Sequence, residues 1–243
     1  CVGEGAGIRF SEGGSADISN SEISNNFGGS GVVTTSNTNN FNNVIFDGNT
    51  GAYYGGALNI YAGSNVNLDS CLIIRNSASH GGAIHNGAPS SLTINNTKIM
   101  YNHASYHGGA IRSTDNPTVN NAFIAYNTAD VDGSQIWLYS AEGLYNNTTF
   151  ISTRNPAIYS HSESTPTLVN CNFLNTNIYN NDNSSVITAT NNYWNHSSGP
   201  YHPSQNPSGQ GDSTNQWVNV DPWLNTPNTD APPFPAQNTT VTG

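Results

Sequence analysis

Two histidines, His80 and His107, each stand directly before a Gly-Gly-Ala-Ile phrase, and Tyr54 and Asp132 hold the same place in related phrases. Imidazoles beside a carboxylate can bind a transition metal or pass protons. The plainer reading is that these rings are exposed at a turn edge and stack on one another. A second set, Asn59, His85, Arg112 and Trp137, lies two residues past the alanine of the same phrases, or past the equivalent Gln135. A guanidinium flanked by an imidazole and an indole is a platform for sugar rings or a uronate carboxylate. Its alternative is an ordinary solvated strand face. His103 and Asp130 fall at neighbouring corners. Asp130-Val-Asp132-Gly could supply oxygen ligands for calcium, the only cofactor in view, although the rest of a coordinating loop is missing and such turns are commonly just turns.

These residues are brought together only if the chain stacks on itself. Gly-Gly-Ala-Leu/Ile recurs at Gly55, Gly81 and Gly108, in steps of 26 and 27 residues, with a degenerate copy at Asp132-Gly-Ser-Gln-Ile-Trp. A period of this length marks a solenoid, in which each repeat position becomes a row of side chains across coils. After each glycine pair comes a second alternating strand (Val66-Asn-Leu, Leu92-Thr-Ile, Thr118-Val-Asn). A third then ends on asparagine (Leu72 to Asn76, Lys98 to Asn102, Phe123 to Asn127). Weaker copies run from Ile18 to Asn26, Val44 to Asn49, Phe150 to Asn155, Leu168 to Asn177 and Val186 to Asn192.

Period-two apolar alternation with Gly and Asn at the turns, and no sustained 3.6 period, predicts an all-β chain. Three short strands per coil leave no room for a crossover helix and predict a parallel β-helix of about eight coils. Asparagines 49, 76, 102 and 127 are expected at left-handed turn positions, with amides bonding the coils above and below. Leu58, Ile84, Ile111 and Ile136 are expected inside, which turns the Asn59–Trp137 row outward.

Composition excludes several classes. Five Lys+Arg stand against fifteen Asp+Glu, the net charge is −10, and only 8% of residues are charged. Phosphate neutralisation needs clustered Lys and Arg, so nucleic acid is not an expected partner, nor is an anionic membrane surface. No run of about 18 apolar residues is present to span a bilayer. The basic residues Arg9, Arg75, Lys98, Arg112 and Arg154 form no row, and no row of aspartates appears. Cys71 and Cys171 share a repeat position four coils apart, beyond disulfide reach, and read as small half-buried packing residues. Cys1 is read as a boundary, with lipidation as the alternative. Asn-x-Ser/Thr sequons fall at Asn95, Asn146, Asn147, Asn183, Asn195 and Asn238.

At Asn191 the text changes to Asn-Asn-Tyr-Trp-Asn-His-Ser-Ser-Gly-Pro, then Asn206-Pro-Ser-Gly-Gln-Gly-Asp, then Trp217-Val-Asn-Val-Asp-Pro-Trp-Leu. This string resembles the closing segment of right-handed parallel β-helix domains of prokaryotic secreted and cell-surface proteins, a group similar to the pectate-lyase-like superfamily. The resemblance implies a right-handed solenoid over 1–195 and a C-terminal cap over 196–224, with Trp194, Trp217 and Trp223 covering the last coil. It says little about activity, because that superfamily holds lyases, hydrolases, epimerases, adhesins and passive stalks. Residues 225–243 read as a Pro/Thr-rich linker, and the stretch from Pro232 resembles the first strand of a fibronectin-type-III-like module.

Two readings follow. The first is a secreted or cell-surface structural or adhesive module: a stalk, filament subunit or adhesin that binds a polysaccharide or another surface protein, or assembles end to end through an uncapped first coil. The second is a polysaccharide-active lyase, hydrolase or epimerase working along the Asn59–Trp137 row. Scarce proton-transferring groups tip the balance toward the first.

Overall fold

The computed structural model describes residues 7–234 apart from 12, 36, 62, 154 and 155. The chain winds as a parallel β-solenoid of about seven turns, with no helix among the described residues and therefore none long and apolar enough to cross a membrane. Arg154, Cys1 and the Asn238 sequon, each singled out in the sequence, lie outside the described residues. So do residues 1–6, on which the premise of an uncapped first coil depends.

Each turn contributes to three faces. The first is an eight-stranded parallel sheet built from Ile8–Phe10, Val32–Thr34, Leu58–Ile60, Ile84–Asn86, Ile111–Ser113, Ile136–Tyr139, Ile158–His161 and Ile178–Asn180. The second and third faces form one continuous 15-stranded sheet that folds around a corner. Asn65–Asp69, Ser91–Asn95 and Thr118–Asn120 belong to the second face, and Leu72–Ile74, Lys98–Met100 and Phe123–Ala125 to the third. The expected three strands per coil are present.

A short third sheet was not foreseen: Ser77–His80, His103–His107 and Thr128–Ala129 pair where the third face turns back toward the first. It carries the chain up to the glycine pairs and so sets where His80 and His107 project.

Inside, like stacks on like. Leu58, Ile84, Ile111, Ile136 and Ile158 form one fully buried row, and the third face contributes Ile73, Ile99, Ile124, Phe150 and Phe173, ended by buried Trp194. Phe150 and Phe173 stack at 5.6 Å between ring centroids, and Phe173 meets Trp194 at 4.5 Å. Each such side chain stabilises the fold by roughly 1.5–3 kcal/mol on burial, so the stacks supply most of the driving force. Cys71 and Cys171 lie free in the interior, buried fully rather than by half, and burial pushes both thiols up, Cys171 to about 12.

The glycine pair is needed at both positions. Gly55, Gly81, Gly108 and Gly133 have φ of 54°, 65°, 70° and 64°, and a Cβ there would overlap a carbonyl oxygen three residues on. At Gly56, Gly82 and Gly109 a Cβ would strike the backbone of the adjoining coil and of the corner strand.

The asparagine row corrects one detail. Asn49, Asn76, Asn102 and Asn127 are not the left-handed residues; the residues before them are, with φ of 64° at Gly48, 56° at Arg75, 56° at Tyr101 and 58° at Tyr126. That kink turns each asparagine inward. Its amide then donates to the next coil's side-chain carbonyl: Asn49 to Asn76 at 2.9 Å, Asn76 to Asn102 at 3.0 Å and Asn102 to Asn127 at 2.9 Å. Where the next asparagine is lacking, Gln135 substitutes, accepting from Asn127 Nδ2 at 2.7 Å. This is why the fourth phrase reads Gly-Ser-Gln-Ile.

Near the C-terminus Thr214 bridges Ile178, Val218–Asn219 pairs with Ile187–Thr188, and Leu224 bridges Tyr193. Residues 213–224 therefore continue the winding, while those before them fold aside around a two-stranded pairing of Pro200–Tyr201 with Gly211–Ser213. Residues 225–234 lie back along the third face. Asn228 exchanges hydrogen bonds with Asn172 at 2.8 and 2.9 Å, and Phe234 rests on the cluster of Phe123, Ala125 and Ile151. The segment read as a linker is held to the solenoid up to Phe234.

Candidate functional site on the first face

The alternation of the first face sends Ile111 in and Arg112 out, and the register places Asn59 beside His85, His85 beside Arg112 and Arg112 beside Trp137. The row continues to Tyr159 and Tyr179, which the sequence reading did not include. Tyr54, His80, His107 and Asp132 form the second row by successive bridges. The two rows are not separate platforms, because the second leans over the first. Tyr54 stacks on His85 at 4.3 Å and His107 on Trp137 at 4.9 Å between centroids, leaving Asn59, His85 and Trp137 only 4%, 6% and 7% exposed. A flat solvated strand face is thereby ruled out for these three residues.

Aromatic contacts run on in both directions. His80 stacks on His107 at 5.5 Å and on Tyr106 at 5.3 Å, and Tyr139 stacks on His161 at 5.5 Å. Tyr53 and Tyr106, 69% and 53% exposed, form the rim.

Arg112 sits at the centre. Its guanidinium carbon lies 5.6 Å from the ring centre of Tyr54 and 5.1 Å from that of Trp137, within range of cation–π attraction. Its Nη1 bonds His85 Nε2 at 2.7 Å. Arginine has donors only, so Nε2 accepts, the His85 proton sits on Nδ1, and Nδ1 donates to Asn59 Oδ1 at 3.0 Å. Burial and then the Arg112 charge push His85 down to about 3, and His80 down to about 4. His107 is lowered too, chiefly by burial, although Asp132 opposes the shift.

What Arg112 lacks is an anion. The ion pairs among the described residues are Arg75 with Asp47 and His103 with Asp130; none involves Arg112, and its Nε is buried without a partner. Trp137 Nε1, His80 Nδ1 and His107 Nδ1 are likewise buried and unpartnered. Such groups cost on the order of 1–3 kcal/mol each when unmatched; together with the guanidinium they form a polar cradle in which the indole donates and the imidazole nitrogens donate or accept according to tautomer.

Beside the cradle a cavity of about 480 Å³ opens, lined by Asp132, Tyr159, Tyr179, Ser213, Thr214 and Asn215. The winding of residues 213–215 onto the last first-face strand creates its wall. Asp130 faces His103 at 3.5 Å. No cluster of three or more His, Cys, Asp or Glu able to hold a metal occurs among the described residues.

Comparison with family models, with curated proteins and with solved structures gave no match. The site must be read from its own chemistry.

Sequence reasoning found the two rows and missed Tyr159, Tyr179, Tyr139, His161 and the cavity. Tyr159 and Tyr179 were legible in principle, since each follows an isoleucine as Trp137 follows Ile136. Their coils lack the Gly-Gly phrase, whose place is taken by Asn155-Pro156 and by Asn175-Thr176, so the first-face strand had no anchor there.

Proposed function

We propose that this chain is an extracellular glycan-binding β-solenoid, a module of the stalk or adhesin kind, whose first face holds an acidic polysaccharide. The observation that carries the proposal is Arg112: a partly buried guanidinium between two aromatic faces, beside a neutral imidazole and without a counter-ion. A uronate or other acidic sugar supplies the carboxylate, and its ring faces suit the tyrosine and tryptophan surfaces.

Low charge and Asn/Ser/Thr-based solubility suit an exported scaffold. The closing string from Asn191 supports placement near the pectate-lyase-like group of secreted β-helices. Binding is favoured over turnover because imidazoles held near 3 and 4 are weak bases at neutral pH, far from the range that serves proton abstraction.

A panel of acidic and neutral oligosaccharides, read both by calorimetry and for new reducing or unsaturated ends, tests the proposal. Saturable binding of acidic members with no new ends is expected. New ends would make the chain a catalyst, and absence of binding to every acidic member would remove the proposal.

A further inference from the structure

The cavity beside the cradle differs from it in chemistry. Its charged member is the Asp132 carboxylate, which is in no ion pair among the described residues. Asp132 and Tyr159 line the same cavity, and burial, then the Asp132 charge, raises the Tyr159 hydroxyl. Tyr159 and Tyr179 stack at 5.6 Å and present a second aromatic surface, with Tyr179 42% exposed. Thr214, only 7% exposed, has its hydroxyl oxygen buried without a partner in the wall of this cavity. Asn215 is on the same wall and donates to Asn180 O at 2.7 Å, which orients its amide.

A carboxylate accepts hydrogen bonds from hydroxyls or an acetamido N–H, while it repels a second carboxylate. Asp132 bridges His107 of the Arg112 coil and so stands one strand spacing along the solenoid from it, about 5 Å, comparable to the step between linked pyranose rings.

Resting on the glycan-binding reading, we infer that the cavity at Asp132, Tyr159, Tyr179 and Thr214 is a second subsite that takes an uncharged sugar next to the acidic one held at Arg112. The ligand class is therefore a heteropolysaccharide in which acidic and neutral residues adjoin, not a homopolyuronate. Asp132 is the specificity-determining residue: it accepts from the neutral sugar and excludes a carboxylate from that position.

The test compares three probes of equal length by calorimetry: an oligosaccharide alternating glucuronate with N-acetylglucosamine, an oligogalacturonate and a neutral cello-oligosaccharide. The wild-type protein should bind the alternating probe about tenfold more tightly than the oligogalacturonate, a gap of about 1.4 kcal/mol. Asp132→Asn should close that gap, chiefly by improving oligogalacturonate binding. Tyr179→Ala, at a half-exposed ring, should weaken the alternating probe alone. Equal or tighter wild-type binding of oligogalacturonate, or a gap unchanged in Asp132→Asn, overturns the inference while leaving acidic-glycan binding intact. Failure of both acidic probes to bind the folded wild-type protein removes the glycan reading and this inference with it.

Discussion

Arg112 donates to Nε2 of His85 at 2.7 Å, and that one contact fixes the tautomer of the imidazole beneath it. With Nε2 accepting, His85 is neutral and its Nδ1 proton is committed to Asn59 Oδ1. The guanidinium is thus oriented without being neutralised, which is what a binding group for an anion requires.

The first prediction concerns pH. His80, His85, His107 and His202 all have imidazoles lowered mainly by burial, so the folded state resists protonation that the unfolded chain accepts near 6.5. Stability from these groups is present above 6.5 and is lost as pH falls toward about 4 for His80 and about 3 for His85. Asp212 acts oppositely: burial raises it to about 6, so in the window down to its ordinary value acidification favours the folded state. Four imidazoles outweigh one carboxyl, and the melting temperature should drop between pH 7 and 4. His85→Gln should flatten the drop and Asp212→Asn should steepen it, both read by thermal melts across that range.

The asparagine ladder gives a stability prediction. Asn102 accepts from Asn76 and donates to Asn127 Oδ1, to Ile73 O and to Met100 O. Asn102→Ala strands several of these buried groups and should cost about 2–4 kcal/mol in denaturant unfolding, given 1–3 kcal/mol for a single unmatched polar group. Asn67→Ala, in the exposed ladder where Asn67 donates to Asn40 Oδ1, should cost under about 1 kcal/mol. Similar costs at the two positions would contradict the inward role of the Asn102 row.

The glycine pair gives a second one. In Gly82→Ala the new methyl meets the carbonyls of Gly109 and His103, which belong to fixed backbone rather than flexible side chains. A loss of about 2–4 kcal/mol is expected, in the range of overpacked cores, whereas Gly14→Ala, which meets only the Asn37 amide at ordinary contact distance, should be close to neutral. Paired unfolding curves of the two variants decide the matter.

Much of this was legible in the sequence because stacking turns one repeat into many constraints. Gly-Gly-Ala-Ile fixed the register, and the register put His85 beside Arg112 and His80 beside His107. Leaning of the second row over the first was not legible: it follows from the short corner sheet, whose strands show no alternation long enough to read. Asparagine was assigned a left-handed turn because its side chain tolerates one. The structure instead gives that conformation to Arg75, Tyr101 and Tyr126, since each following asparagine needs its amide inside. The cavity depends on residues 213–215 joining the last first-face strand after an aperiodic excursion, which no repeat could announce.

The central claim is that Arg112 is kept for a ligand and not for the fold. The most direct measurement pairs acidic-oligosaccharide calorimetry with unfolding curves for the wild type and Arg112→Met, which retains side-chain bulk against Tyr54 and Trp137. Removing an unneutralised, partly buried cation costs little in itself, but it leaves His85 Nε2 without its donor, so unfolding should change by no more than about 1–3 kcal/mol while acidic-glycan binding falls at least tenfold. A variant that binds as the wild type does, or that loses several kcal/mol of stability, would show Arg112 to be structural and contradict the account.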